Sequence, residues 1–412
     1  MLSKQEQDIF YRAVKSRDYR FDGKFYTGVK TTGIYCRPVC PAMPKRDNIE
    51  FFKSAHLAEQ AGYRPCLRCR PEVAPQSPAW IGTSAVVKRA LALIADGALF
   101  NSSERLFASR FGLSPRHLRR LFSKEIGVTP KQLSDTQRLN FARTLIAEAA
   151  VPITDVAFNS GFNSIRRFND AFQKKFARKP SLIRKLKKKS IADSVVLHLR
   201  YRPPYDWNAI TEFFKSHAIS RIECVENDCY HRFFLDHHNG KPAHLKVSNL
   251  PHENALKLEV FGADTRSLFW LSRKIRRMFD LESDPLLIAN AFAQTPFLKK
   301  LYNKSPGLRI PCGWSPFESA ISTILGQLVS VEQGRRLVGQ LIEAHGQNFH
   351  NPFHMALNAQ FPSPKELSGA SLLSVKTTDR RKETIRTLAD LVAQNQIDLS
   401  EHCDLDQLRH TL

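Results

Sequence analysis

Four cysteines stand in two close pairs, Cys36 with Cys40 in GIYCRPVCP and Cys66 with Cys69 in RPCLRC. A pair separated by two to four residues can turn both sulfurs toward one ion. A second pair arriving a short stretch later closes a tetrahedral thiolate shell, for which zinc is the expected metal. The thiolate, not the thiol, is the nucleophile, and a divalent cation keeps sulfur deprotonated at neutral pH. Four thiolates around one such cation carry a formal charge of minus two, an electron-rich cluster suited to taking a methyl group by direct displacement. The competing reading is a closed structural knot, which the spacing alone favours.

The charge around the cysteines indicates what the cluster would meet. Arg37, Lys45, Arg46, Arg64, Arg68 and Arg70 crowd the four ligands and would hold a DNA backbone against them. A methylated phosphate is a neutral triester and can approach a negative cluster, whereas an ordinary phosphodiester is repelled. Unit charges a few ångströms apart interact by about 4 kcal/mol at a surface-like dielectric. Methylation would remove one charge from the cluster and so tighten its grip on later phosphates.

The whole chain fits a polyanionic partner. Its 412 residues include 62 Lys and Arg against 39 Asp and Glu, a net charge of +23 and a pI near 9.8. An excess of that size favours nucleic acid over a membrane surface. No apolar run is long enough for a membrane span, and the start, MLSKQEQDIFYRAVKSRD, lacks the apolar core of a signal peptide. A cytoplasmic, nucleoid-associated monomer is expected. The remaining cysteines, Cys224, Cys229, Cys312 and Cys403, follow no framework and read as ordinary thiols.

The segment from the paired threonines through GIYCRPVCP to AGYRPCLRCRPE closely resembles the N-terminal domain of the Ada family of bacterial alkylation-response proteins. The resemblance implies that Cys36, the first of the four, is both zinc ligand and irreversible methyl acceptor from DNA methylphosphotriesters, and that methylation turns the protein into a transcriptional activator. It also implies that Thr32 and Arg64 lie near the DNA backbone. The chain departs from the pattern at Met43, where a basic residue is expected; Lys45 or Arg46 would substitute. Pro311-Cys312 is similar to the acceptor motif of O-alkylguanine methyltransferases, but Gly313-Trp314 follows where that motif needs His-Arg, and that second activity is not expected.

Elements that could present this chemistry to DNA follow a proline-rich linker, PEVAPQSPAW at 71–80. Val87, Leu91 and Ile94 recur at helical spacing. In ERLFASRFGLSPRHLRRLFSKEIG, Gly112 ends a short helix, Ser114 is a candidate N-cap, Pro115 suits the first turn, and Leu118, Leu121 and Phe122 face inward. That leaves Arg116, His117, Arg119 and Arg120 outside. A second copy, ITDVAFNSGFNSIRRFNDAFQKKF, turns at Gly161 and caps at Ser164. It buries Phe168 and Phe172 and presents Arg166, Arg167 and Asn169, with Asn163 and Ser164 at the helix start.

A helix over about 129–149 joins the two copies. One such pattern also describes two packed helices with no nucleic-acid role; two copies with arginines outside point to successive major grooves about 34 Å apart. The layout over 84–185 resembles the AraC-type DNA-binding domain, implying promoter DNA and RNA polymerase as partners. The run RKLKKKS at 184–190 reads either as added phosphate contact or as a solvated connector.

From Ser194 the pattern alternates at Val195, Leu197 and Leu199, then Leu245 and Val247, then Leu256, Leu258 and Val260, as half-buried strands do. Helical segments near 207–217 and 264–279 suggest a small antiparallel sheet covered by two helices. LRYRPPYDWNAITEFF, RKIRRMFDLESDP and SPGLRIPCGWSPFESAISTILGQLVSVEQG look like AlkA-type alkylpurine glycosylases. That resemblance implies a base-flipping wedge at Leu328 with Gln327 beside it, and a pocket aromatic at Phe213. A leucine that fills a vacated base stack offsets part of the unstacking cost, a few kcal/mol; by residue type alone Leu328 and Phe213 would be core.

The hairpin and catalytic aspartate expected of such enzymes are not found before Leu412, and Asp404 and Asp406 match nothing catalytic. The stretch 291–412 is therefore expected to lack packing partners. The expected architecture is multidomain α+β. It comprises a small zinc-bound α/β domain over 1–75, an all-α double helix-turn-helix domain over 82–187, a small antiparallel sheet with two helices over 192–285, and an incomplete all-α glycosylase-type domain over 286–412. The expected function is an alkylation sensor and transcriptional activator, with alkylpurine glycosylase activity as the alternative.

Overall fold

The computed structural model describes residues 3–69, 71, 85–100, 102–149, 151–184, 194–397 and 399. Arg70, most of the proline-rich linker, the basic run over 185–190, Cys403, Asp404 and Asp406 lie outside the described residues.

Helix α1 (Lys4–Ser16) opens on a capping box between Ser3 and Glu6, which satisfies two of the amides a helix start leaves over. Behind it β1 (Tyr26–Val29), β2 (Ile34–Cys36), β3 (Ile49–Phe52), helix α2 (Ala55–Gln60) and β4 (Arg64–Pro65) form a sheet of order β3-β1-β2-β4. Strand β2 runs antiparallel to β1 and parallel to β4, with Tyr35 opposite Pro65. That register sets Cys36, at the end of β2, beside Cys66, just past β4. The apolar clusters here are small: Ala13, Val14 and Phe25, then Tyr26, Tyr35 and Ala58.

The next unit is helical: α3 (Ala85–Ala95), α4 (Glu104–Ser109), α5 (Pro115–Glu125), α6 (Pro130–Glu148), α7 (Ile153–Asn159) and α8 (Ile165–Phe176). Ser114 and Ser164 cap α5 and α8 by accepting from the His117 and Arg167 amides. Gly112 and Gly161 make the α4–α5 and α7–α8 turns at φ of 65° and 75°, where a side chain is strained. Helix α6 has Thr129 as its cap, in a capping box with Gln132.

Strands β5 (Ser194–Arg200), β6 (Glu223–Glu226), β7 (Cys229–Leu235), β8 (Pro242–Leu250) and β9 (Ala255–Phe261) form an antiparallel sheet of order β5-β9-β8-β7-β6, with helices α9 (Trp207–His217) and α10 (Leu268–Met278). Two of the five strands, β6 and β7, escape the alternation rule. Strand β7 is buried on both sides for most of its length and reads CYHRFFL without a polar face. The core of this sheet is continuous with the helix-turn-helix unit, since Leu139, Leu145, Phe168 and Phe172 share one cluster with Leu197, Leu245 and Leu258.

The last unit contains α11 (Pro285–Ala293), α12 (Pro296–Lys304), α13 (Pro316–Gly326), α14 (Val331–His345), the two-residue strands β10 (Gln347–Asn348) and β11 (Ala359–Gln360), α15 (Pro364–Ser368) and α16 (Asp379–Ala393). The expectation that 291–412 would lack packing partners is corrected. Ile321, Leu325, Leu337, Leu341, Leu367 and Ile385 build a core of their own, joined by Ile222 from the sheet unit. Apolar exposure is concentrated on the α11–α12 hairpin and its exit, where Phe297 is 68% and Ile310 84% exposed. No helix among the described residues is long and apolar enough to cross a membrane.

Candidate metal centre and nucleic-acid face

The sulfurs of Cys36, Cys40, Cys66 and Cys69 lie within 4.8 Å of one another. A tetrahedral zinc–thiolate shell, with metal–sulfur bonds near 2.3 Å, requires sulfur–sulfur separations of about 3.8 Å. Separations within 4.8 Å leave all four sulfurs in reach of that arrangement, and three of the cysteines are buried. Thiols this close do not titrate independently. Hydrogen bonding, from Cys36 first and then from Cys69 and the Ala42 amide, lowers Cys40 to about 7. Cys66 is held lower still, again by Cys36 first, with the Cys69 amide assisting. Cys36 itself is pushed up, chiefly by Cys40. The Cys69 sulfur accepts the Arg37 amide at 3.4 Å.

The residues proposed around the cluster differ in what they have left to offer. Thr32, Lys45, Arg64 and Arg68 are exposed and remain available to a ligand. Arg37 does not: only 5% exposed, its guanidinium clamps the buried Asp22 carboxylate through Nε, at 2.7 Å, and Nη2. Nη1 donates to the Cys69 carbonyl at 3.1 Å. Its expected role at the DNA backbone is corrected to one within the metal knuckle, because an arginine beside a ligand is drawn to whichever anion shares its desolvated space. Arg46 is intermediate in character, exposed but paired with Asp8 and stacked over Tyr11.

Side chains that the sequence did not single out lock the centre to its neighbours. Arg143 of α6, 1% exposed, donates to the Cys66 and Leu67 carbonyls at 3.3 and 3.2 Å. Lys175 of α8 meets Glu59 of α2 at 2.7 Å, and the Tyr35 hydroxyl donates to the same carboxylate at 2.8 Å. Arg202, from the sheet unit, donates to the Asp22 carbonyl at 2.8 Å. The knuckle is thus bolted to the helix-turn-helix unit through a ligand's own backbone, and to the sheet unit through the partner of Arg37. The sequence signal for Arg143 is a charge set on the apolar side of α6, four residues after Leu139 and three before Ile146.

On the helix-turn-helix unit, Arg116, His117, Arg119 and Arg120 are exposed along α5, as are Asn163, Arg166 and Arg167 at the start of α8. Asn169 is half-buried, and the Ser164 hydroxyl is committed to its cap. In the last unit, Leu328 follows α13 in the turn to α14, fully exposed and at a φ of 57°. The core placement its residue type suggests is therefore not found. Gln327 beside it is also exposed, and its carbonyl accepts from Arg381. Phe213 is 38% exposed and stacks on His217, with ring centroids 4.2 Å apart.

A tetrathiolate centre docked on paired helix-turn-helix units, with a sheet and a helical unit behind, defines a metal-centred multidomain helix-turn-helix protein. Residues 10–72 match the metal binding domain of Ada, 107–186 a helix-turn-helix domain, and 196–315 the AlkA N-terminal domain. The chain is 34% identical, over 410 residues, to a probable bifunctional transcriptional activator/DNA repair enzyme AlkA of Mycobacterium tuberculosis. That alignment covers 98% of this chain and 82% of the relative.

It is 35% identical over 156 residues to the bifunctional transcriptional activator/DNA repair enzyme Ada of Escherichia coli, covering 38% of this chain and 42% of that one. Over 222 residues it is 27% identical to DNA-3-methyladenine glycosylase 2 of Escherichia coli, covering 52% and 73%. The chain belongs to the family of bifunctional transcriptional activator/DNA repair proteins of the Ada and AlkA type, and its four-cysteine centre is a zinc site.

Proposed function

We propose that Cys36 irreversibly accepts a methyl group from methylphosphotriesters in DNA, and that the methylated protein binds promoter DNA more tightly and switches on alkylation-repair genes together with RNA polymerase. The observation that carries the assignment is the gathering of Cys36 with Cys40, Cys66 and Cys69 within 4.8 Å, in a segment that matches the metal binding domain of Ada and with Cys36 first of the four.

Zinc, when bound, holds the sulfurs as thiolates at neutral pH. In the transfer, Cys36 Sγ forms a bond to the methyl carbon as the bond from that carbon to the phosphate oxygen breaks. The phosphate leaves as an ordinary diester anion. The cluster loses one unit of negative charge, and the exposed Thr32, Lys45, Arg64 and Arg68 would hold the flanking backbone. Intact-mass measurement after incubation with methylphosphotriester DNA should show one added methyl, mapped to Cys36, and none on Cys36→Ser. A labelled methyl retained by Cys36→Ser would overturn the acceptor. An unchanged DNA dissociation constant after methylation, at fixed salt, would overturn the charge switch.

A second reading, base flipping by the last unit, is favoured by Leu328. A leucine held fully in solvent by a left-handed turn is spending apolar surface without return in the free protein, and insertion between bases would recover it. Leu328→Ala should weaken binding to duplexes carrying an unpaired or alkylated purine by about tenfold, or about 1.4 kcal/mol, with little change for intact duplex. Equal loss on both duplexes would count against a wedge.

A further inference from the structure

Away from the zinc knuckle, a second group of metal-competent side chains gathers where the sheet meets the last unit. The ladder places Cys224 of β6 directly opposite His231 of β7, so both project from the same face. Glu226, two residues along, shares that face. His244 of β8 is diagonal to His231 in the β7–β8 register, and its Nε2 lies 3.1 Å from His231 Nδ1. The remaining member comes from the other unit: His354, in the loop between β10 and β11, brings its Nε2 to 3.7 Å from Cys224 Sγ and 3.4 Å from Glu226 Oε2. The three ligand atoms lie within 4.8 Å of one another.

These separations match what one cation would impose. Bonds of about 2.3 Å to sulfur and about 2.0–2.1 Å to nitrogen and oxygen, at tetrahedral angles, give about 3.5 Å for sulfur to nitrogen and about 3.4 Å for nitrogen to oxygen. A thiolate, an imidazole and a carboxylate form a mixed set that suits zinc and related borderline cations, and excludes magnesium and calcium, which take oxygen. The surroundings supply one further feature of such sites. The His354 loop is held rigidly to the sheet, with Phe349 stacked near Phe233 at 5.8 Å and the Asn358 amide donating to the Arg221 carbonyl at 2.8 Å.

We propose that Cys224, Glu226 and His354 form a second divalent-metal site of the zinc class, with the fourth position open to water and the His231–His244 pair packed behind it. Cys224 is then a ligand and not the ordinary thiol expected from its isolated position in sequence. The site would staple the sheet to the last unit, and hence the Leu328 turn to the body of the protein. It is chemically independent of the Cys36 centre.

The full-length protein, purified with zinc at its four-cysteine centre, should be titrated with zinc, and bound metal counted after gel filtration. Wild-type protein should take up one further equivalent, giving two per chain. Cys224→Ser and His354→Ala should take up none. Glu226→Gln, a change at a half-exposed carboxylate that leaves packing intact, should weaken the added equivalent at least tenfold. Cobalt in place of the added zinc should show a thiolate charge-transfer band in wild type that Cys224→Ser lacks. Saturation of the wild type at one zinc per chain, or uptake by Glu226→Gln and His354→Ala indistinguishable from wild type, would overturn the site.

Discussion

Stripping zinc from the four-cysteine centre is expected to unfold the knuckle while leaving the rest of the protein folded. The apolar clusters of this unit have three buried residues each, around Phe25 and around Tyr35, with three partly buried side chains packed on each, below what a self-sufficient core needs. Structural zinc contributes an apparent 10–16 kcal/mol of folding free energy in small metal-dependent domains. The docking contacts cannot replace it. Arg143 holds the Cys66 and Leu67 carbonyls only while the ligands fix that turn. Asp22 and Arg37 are a buried pair whose charges would be left uncompensated if the strand end carrying Cys36 moved. Cys40→Ser, which removes one ligand and leaves the acceptor, should reproduce the effect without a chelator that could act elsewhere. The measurement is amide hydrogen exchange. Protection should be lost over Tyr26–Val29 and Ile34–Cys36 and kept over α5 and α8. Retained protection of β1 and β2 in Cys40→Ser would show that packing, not metal, holds the knuckle.

What could be read from the sequence was local, and what could not was a matter of register. The cysteine pairs, the Ser114 and Ser164 caps, the glycine turns and the Val87, Leu91 and Ile94 spacing of α3 each depend on neighbours within one or two helical turns, and each could be read directly. The direction taken by Arg37 could not. Its partner Asp22 lies fifteen residues earlier and meets it only because β1 and β2 pair as they do. Strand β7 was missed because burial on both faces removes the alternation that marks a strand. Leucine is normally a core residue, and Leu328 breaks that rule because the turn after α13 takes a left-handed conformation that points it into solvent. The Cys224–His354 group spans 130 residues, and no spacing rule connects positions joined by a sheet ladder and a loop from another unit.

The same register places a buried ion network between the sheet and the Leu328 turn, and Arg232→Ala is expected to be among the most destabilising single changes outside the knuckle. Arg232 of β7 is 2% exposed, with Nη1 donating to Glu223 at 2.5 Å and Nη2 to Glu318 of α13 at 2.7 Å. Its guanidinium lies 4.6 Å from the Trp314 ring centre, and the Tyr230 hydroxyl also donates to Glu223. Removing the cation leaves two carboxylates without their partner in a desolvated space, a loss of about 3–5 kcal/mol.

The cost is largely that of the stranded charge, so Arg232→Met combined with Glu318→Gln should cost clearly less than Arg232→Met alone. Urea unfolding followed by tryptophan fluorescence suits the test, since Trp207, Trp270 and Trp314 all lie in this region. Helix α13 carries both Glu318 and, at its far end, the turn to Leu328. Arg232→Ala should therefore also weaken binding to duplexes with an unpaired purine, while methyl uptake at Cys36 stays at the wild-type level. A destabilisation below about 1 kcal/mol, the range of an exposed ion pair, would mean that solvent reaches the network, and the coupling between the sheet and the Leu328 turn would have to run through the Ile222 contact with the last unit's core instead.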